Sequence, residues 1–297
     1  MASLEAECAS GCSETVVAHS YYSQRTGVNP NNKGLPLTDI VELFVRVFNQ
    51  LQADGYFHEA FGFRCVDADL VPGKVKDVDL EILLAIRKKN LWPIENYSDS
   101  YSEDDLFDLI EFLHQHVSKP IDGTMHSYGD CGMHWDTFNK AEGRQEYRDK
   151  INQILQHYEQ RFTLYENGEI LHRPETGFES IFNADMPSND SNVVDRINAA
   201  TLKFRRHGSS IEDRRGAVAD LAGVLEYLRP EVQALLTRKD ESDLFNIANN
   251  FGIRHHNDKQ KTAYDAAIWL SWMFYFYLST IHVVLRKIEK EKIACAP

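Results

Sequence analysis

Cysteine is sparse in this chain, and the motifs that announce the common enzyme classes are missing. Five cysteines (Cys8, Cys12, Cys65, Cys131, Cys295) are scattered over 297 residues. Their odd number and irregular spacing argue against a disulfide framework. Residues 1–20 are small, polar and acidic, with no apolar run of the kind that forms a secretory leader. Together these two absences predict a reducing, cytoplasmic setting. Gly-x-Gly-x-x-Gly, the phosphate-loop Gly-Lys-Ser/Thr, Gly-x-Ser-x-Gly and His-Glu-x-x-His are all absent, which argues against the usual nucleotide-dependent enzymes and serine or zinc hydrolases. No cofactor is expected. There is no internal repeat and no low-complexity tract.

Positive charge is also scarce. The 32 Lys+Arg against 45 Asp+Glu leave a net charge of −13, unsuited to coating nucleic acid non-specifically. The imbalance is local, however. Residues 191–297 hold 16 Lys+Arg and 13 Asp+Glu, a net of +3, so residues 1–190 hold 16 and 32, a net of −16. The back of the chain can touch a phosphate backbone; the front cannot do so readily.

At this length the chain is comfortable as two parts, each able to bury a core. Residues 1–34 read as a polar tail ending in the turn-rich Asn29-Pro-Asn-Asn-Lys-Gly34. Residues 35–185 read as an acidic, mostly helical domain. Ile40, Phe44, Val47, Phe48 and Leu51 recur at helical spacing, and Gly55 stops that helix. A second helix is predicted over 78–90, closed by Trp92-Pro93. Ser102 with Asp105 caps a third, carrying Leu106, Leu109, Ile110 and Leu113. A fourth carries Tyr147, Ile151, Ile154, Leu155 and Tyr158. Near 161–172 the period changes to two around Asn167-Gly168, which predicts a small β-hairpin with both turn residues at positive φ. The loop Met186–Asn192 reads as the boundary.

Residues 193–292 then carry four helical segments. Val193, Ile197, Ala200 and Phe204 mark the first; Val218, Leu221, Ala222, Leu225 and Leu228 mark the second, ended near Pro230. Leu244, Ile247, Ala248 and Phe251 mark the third. The last runs from about Tyr264 to Lys292. Ala266 to Leu285 has no formal charge, a length that would span a bilayer. Its Ser271, Ser279, Thr280 and His282, and its Trp and Tyr residues spread through the middle, instead suit the centre of a bundle or a dimer interface. No membrane association is expected. The fold class is therefore mostly α: a helical N-terminal domain with a small β-hairpin, followed by a four-helix bundle.

The third back helix runs into Arg254-His255-His256. Continuing its apolar face by four residues reaches His255, with Arg254 beside it and His256 turned away. A histidine titrating near neutrality and an arginine fork supply the acid–base group and the cation that metal-free RNA cleavage needs. Taken alone, the same residues more simply make a plain helix C-terminus, where cations meet the last carbonyls.

Residues from about Val193 to Ile288 resemble the HEPN domain of abortive-infection proteins. The resemblance rests on the helix order, on the phrase Leu244-Phe-Asn-Ile-Ala-Asn-Asn-Phe-Gly-Ile-Arg-His-His-Asn257, and on the aromatic closing helix. It implies a four-helix bundle that forms a homodimer and acts on RNA as a metal-independent endoribonuclease of bacterial defence. The family motif is Arg, four to six residues, then His, with a polar residue after the Arg. His255 matches its His and Asn250 its polar position, whereas Asn249 stands where the motif has Arg. The resemblance thus assigns His255, Arg254, Asn250 and His256 to the catalytic site, Arg254 standing in for the missing cation. The alternative is a non-catalytic dimerisation or RNA-binding module fused to a sensing domain. Residues of about 20–172 resemble an N-terminal module of such proteins, through Tyr22-Ser-Gln-Arg-Thr-Gly27, Asn90-Leu-Trp-Pro-Ile94 and His116-Val-Ser-Lys-Pro120.

Two further groups of residues stand out. Arg205, Arg206 and His207, with Arg214 and Arg215, bracket a loop and form a candidate phosphate-contacting set; solvated helix ends are the plainer account. His114, His116, His126, Cys131 and His134 include the ligand types and one usable spacing, Cys131-x-x-His134, for zinc. His114 and His116 do not face one another on a helix, and paired Cys-x-x-Cys is absent, so no metal is expected there.

Overall fold

A computed structural model describes residues 21–28, 34–175, 177–182, 184, 186–250 and 265–294. The fold is mostly α, as the periodicity requires. The front half runs α1 (Tyr22–Arg25), α2 (Leu37–Ala53), α3 (His58–Phe61), the strands β1 (Phe63–Cys65) and β2 (Asp69–Val71), then α4 (Val78–Ile86), α5 (Ile94–Tyr97) and α6 (Glu103–His116). A long hairpin follows, β3 (Lys119–His126) and β4 (Gly132–Asn139), then α7 (Lys140–Leu155) and the short hairpin β5 (Phe162–Leu164) and β6 (Ile170–His172). After α8 (Glu179–Phe182) come α9 (Ser191–Arg205), α10 (Ile211–Tyr227), α11 (Arg229–Leu235), α12 (Arg238–Asn250) and α13 (Ala266–Ala294).

Local chemistry explains most boundaries. Ser102 Oγ accepts from Asp105 N while the Asp105 carboxylate accepts from Ser102 N at 3.0 Å, so α6 starts on the capping box the sequence announces. Ser210 and Asp213 do the same for α10. The helix expected over 78–90 stops earlier, because Arg87 turns left-handed (φ 64°) and closes α4 after Ile86. Tyr158 lies beyond the end of α7, where it bridges to Leu35. α10 ends at Tyr227, near Pro230 as expected, and Pro230 itself sits in the first turn of α11, where its missing N–H has no bond to lose.

Among the described residues three antiparallel strand pairs occur where the sequence predicts one. The pair at Asn167-Gly168 is in register Phe162↔His172 and Leu164↔Ile170. Its turn differs from the expected one: Gly168 has φ 89°, while Asn167 is not among the residues at positive φ. Gly168 N donates to Tyr165 O at 3.0 Å and Tyr165 N to Glu169 O at 2.9 Å. That is a three-residue loop with glycine in the left-handed position.

Among the described residues the buried apolar side chains form two clusters. One gathers Phe44, Phe48, Leu51, Leu109, Leu113, Tyr147 and Ile151 with neighbours from α2, α6, α7 and β5–β6. The other gathers Ile197, Phe204, Leu221, Leu225, Phe274, Tyr277 and Ile281 from α9, α10 and α13. The seam between them is polar and specific: Leu171 bridges to Arg206, and Arg205 reaches back to β6. By length and composition α13 could cross a membrane, although 56 % of its most apolar window is buried inside the protein.

Candidate functional site

The helix that should carry the RNA-directed residues is present up to Asn250, the last residue of α12. Leu244 is buried on it and Ile247 packs against the second core, the face expected of this helix. Its start is braced by Glu241, which accepts from Arg229 Nε at 2.8 Å and Gln233 Nε2 at 3.0 Å. Arg254, His255 and His256 lie outside the described residues.

The arginines proposed for phosphate contact each have a partner within the chain. Arg205 is only 6 % exposed. Its Nε donates to His172 O at 2.9 Å, and its guanidinium lies over the rings of Phe182 (4.8 Å) and Tyr165 (5.6 Å). Burial lowers its pKa from the ordinary arginine value. Arg206 grips Glu169 with two nitrogens, at 2.9 to 3.2 Å. Arg214 lies over the Phe204 ring at 5.6 Å, and Arg215 pairs loosely with Glu212 at 3.8 Å. Arg205 and Arg206 therefore join the short hairpin to the end of α9.

The residues weighed for zinc separate into two sets. His114 is buried in the first core under the Asn167-Gly168 turn, and burial together with Arg144, Arg148 and Lys140 pushes its pKa down to about 4. His116 stacks on Phe112 (4.3 Å) and Phe61 (5.6 Å), with Nδ1 2.8 Å from Phe112 O. Neither joins the others. His126, Cys131 and His134 do converge, and a fourth residue completes the group: Cys65, at the end of β1. The ligand atoms of Cys65, His126, Cys131 and His134 all lie within 4.8 Å of one another.

Strand geometry explains this convergence. His126 ends β3 opposite Gly132, and His134 sits on β4 opposite Thr124, so both residues stand at the turn end of one hairpin. They meet at 4.9 Å between centroids. Cys131 lies in the turn, its Sγ 3.1 Å from His134 Nε2. From the neighbouring hairpin Cys65 Sγ comes to 3.9 Å from His126 Nδ1, while Phe63 packs on His134 at 4.8 Å. The Gly129 turn rests on Val66: a Cβ there would meet Val66 Cγ1 at 3.1 Å. Cys65 escapes a spacing test because it is 61 positions from its nearest cluster neighbour, and only strand pairing brings it in. Comparison of the chain with protein-family models, with curated proteins and with solved structures finds no match.

Proposed function

We propose that this chain is a two-part bacterial defence protein whose back bundle works as a HEPN-like homodimer and cleaves RNA without metal. The observation that carries the reading is the bundle itself. α9, α10, α12 and α13, with Val232 of α11, contribute to one apolar core, and Arg254-His255 follow α12 in the sequence. The exposed apolar side chains of α13 support the dimer. Leu270, Met273, Phe274, Tyr277, Leu278 and Ile281 are buried within the chain, whereas Ile268, Trp269, Trp272 and Val283 are left exposed. Trp272 stacks on Phe276 at 5.5 Å and meets Trp269 edge-on at the same separation, giving a rigid aromatic surface of the kind interfaces use.

In this reading the 2′-hydroxyl of the RNA attacks the adjacent phosphorus and gives its proton to His255. The 5′-oxygen leaves with a proton supplied by His255 of the partner subunit, so acid and base are divided between chains. Arg254 balances the charge that develops on the phosphorane, and Asn250 orients the site. Induced expression in bacteria tests this. Growth should stop with the wild type and resume with His255→Ala.

A specific observation favours a second reading, a binding module without catalysis. Asn249 is uncharged where the family motif has Arg, and Arg205 and Arg206 are engaged within the chain. Growth unaffected by either protein would select it.

A further inference from the structure

We propose that Cys65, His126, Cys131 and His134 bind one structural zinc ion that clamps the β1–β2 hairpin to the tip of the β3–β4 hairpin. The donor set is two thiols and two imidazoles, the combination that holds zinc in closed, four-coordinate sites. In a tetrahedron with Zn–S of about 2.3 Å and Zn–N of about 2.0 Å, neighbouring ligand atoms lie roughly 3.3–3.8 Å apart. Here the Cys65–His126 pair is at 3.9 Å, the Cys131–His134 pair at 3.1 Å, and no pair exceeds 4.8 Å. Shifts of about an ångström or less would close the shell. Binding would release the two thiol protons and leave the neutral imidazoles as they are.

Two independent features point the same way. First, His126 turns its other nitrogen to a carboxylate: Nε2 lies 3.1 Å from Asp67 Oδ2. A proton on Nε2 leaves the lone pair of Nδ1 facing the cluster, the arrangement that orients a metal-bound histidine. Second, beyond the contacts of Phe63 with His134 and of Val66 with the Gly129 turn, these hairpins bury little apolar surface between their tips. No residue of β3 or β4 belongs to either buried apolar cluster, and Leu70, Ile121 and Met125 are exposed. Where a segment buries little apolar surface, a structural metal can supply the holding that a core otherwise gives. All four positions are filled by the chain, so no coordination site is left open for a substrate, and the ion's role is structural.

The inference does not depend on the RNA reading, and its test has its own readout. The full chain, purified under reducing conditions, should carry one zinc per chain by elemental analysis. Replacement by Co²⁺ should give intense visible bands of tetrahedral cobalt and a thiolate-to-metal charge-transfer band. Cys131→Ser and His134→Gln should each lose the metal, while a variant with Cys8, Cys12 and Cys295 changed to Ser should keep it. A wild-type chain that is metal-free and shows no thiolate–cobalt band on titration would overturn the proposal, whether or not the cluster variants fold. So would zinc that survives Cys131→Ser and disappears with the three other cysteines.

Discussion

His126 faces Asp67 with one ring nitrogen and Cys65 with the other, at 3.1 Å and 3.9 Å. Asp67 on one side and Cys65 on the other favour the ring orientation that offers Nδ1 to the cluster. Asp67→Asn should therefore leave the fold intact and weaken zinc binding by about 10- to 100-fold, the usual effect of removing a carboxylate behind a ligating histidine. Competition against a chromophoric chelator measures this. Unchanged affinity would mean that Asp67 plays no part in orienting the ring.

Gly168 is held to glycine twice over. Its φ is 89°, and a Cβ there would come within 2.4 Å of His114 Nδ1. Gly168→Ala should cost about 1–3 kcal/mol, combining backbone strain with a displaced core histidine. Gly177 offers the control: its φ is 97°, but a Cβ would meet nothing within 4 Å. Gly177→Ala should cost only the backbone share. Equal losses in urea denaturation would show that the His114 contact carries no weight.

Acid should destabilise the protein in two steps. The His114 imidazole protonates only near pH 4 in the folded chain but near 6.5 when unfolded, because burial and the nearby Arg144, Arg148 and Lys140 disfavour its charge. Its share of stability is therefore complete above pH 6.5 and is lost as pH falls toward 4. Glu146, held below its ordinary value by hydrogen bonds from Lys119 and Tyr56, acts in a lower window, below about pH 4.5. Urea midpoints between pH 7 and pH 5 should fall for the wild type and fall less for His114→Gln. Parallel curves would exclude His114 as the source.

Neighbouring arginines should behave differently. Arg205→Ala removes a buried donor from the His172 carbonyl and two ring contacts, and should cost about 1–3 kcal/mol. Arg206→Ala breaks an exposed pair with Glu169 and should cost about 0–1 kcal/mol. The reverse order would mean that the seam between the two cores is held by the exposed pair.

These residues also show what the sequence could and could not reveal. Ser102 and Asp105 announce α6 because a capping box is local, and the apolar spacing of α2, α9 and α13 is likewise local. The β3 strand reads Lys119-Pro-Ile-Asp-Gly-Thr-Met-His126, with Pro120 and Gly123, residue types depleted in strands, and no alternation. Its pairing is set across the hairpin, so neither it nor Cys65 as a fourth ligand was legible. His126, Cys131 and His134 were legible by residue type alone. His114 and His116 were expected to face apart and do so, one into the core and one onto Phe112. The partners of Arg205 and Arg206 are long-range contacts that no local pattern encodes.

The most direct measurement is cleavage of total bacterial RNA by the purified full chain, without added divalent ions, beside a His255→Ala variant. Acid–base cleavage by a HEPN-like dimer predicts fragments ending in 2′,3′-cyclic phosphate with the wild type and intact RNA with the variant. RNA left intact by a wild-type chain shown to be dimeric, or fragments made equally by both proteins, would contradict it.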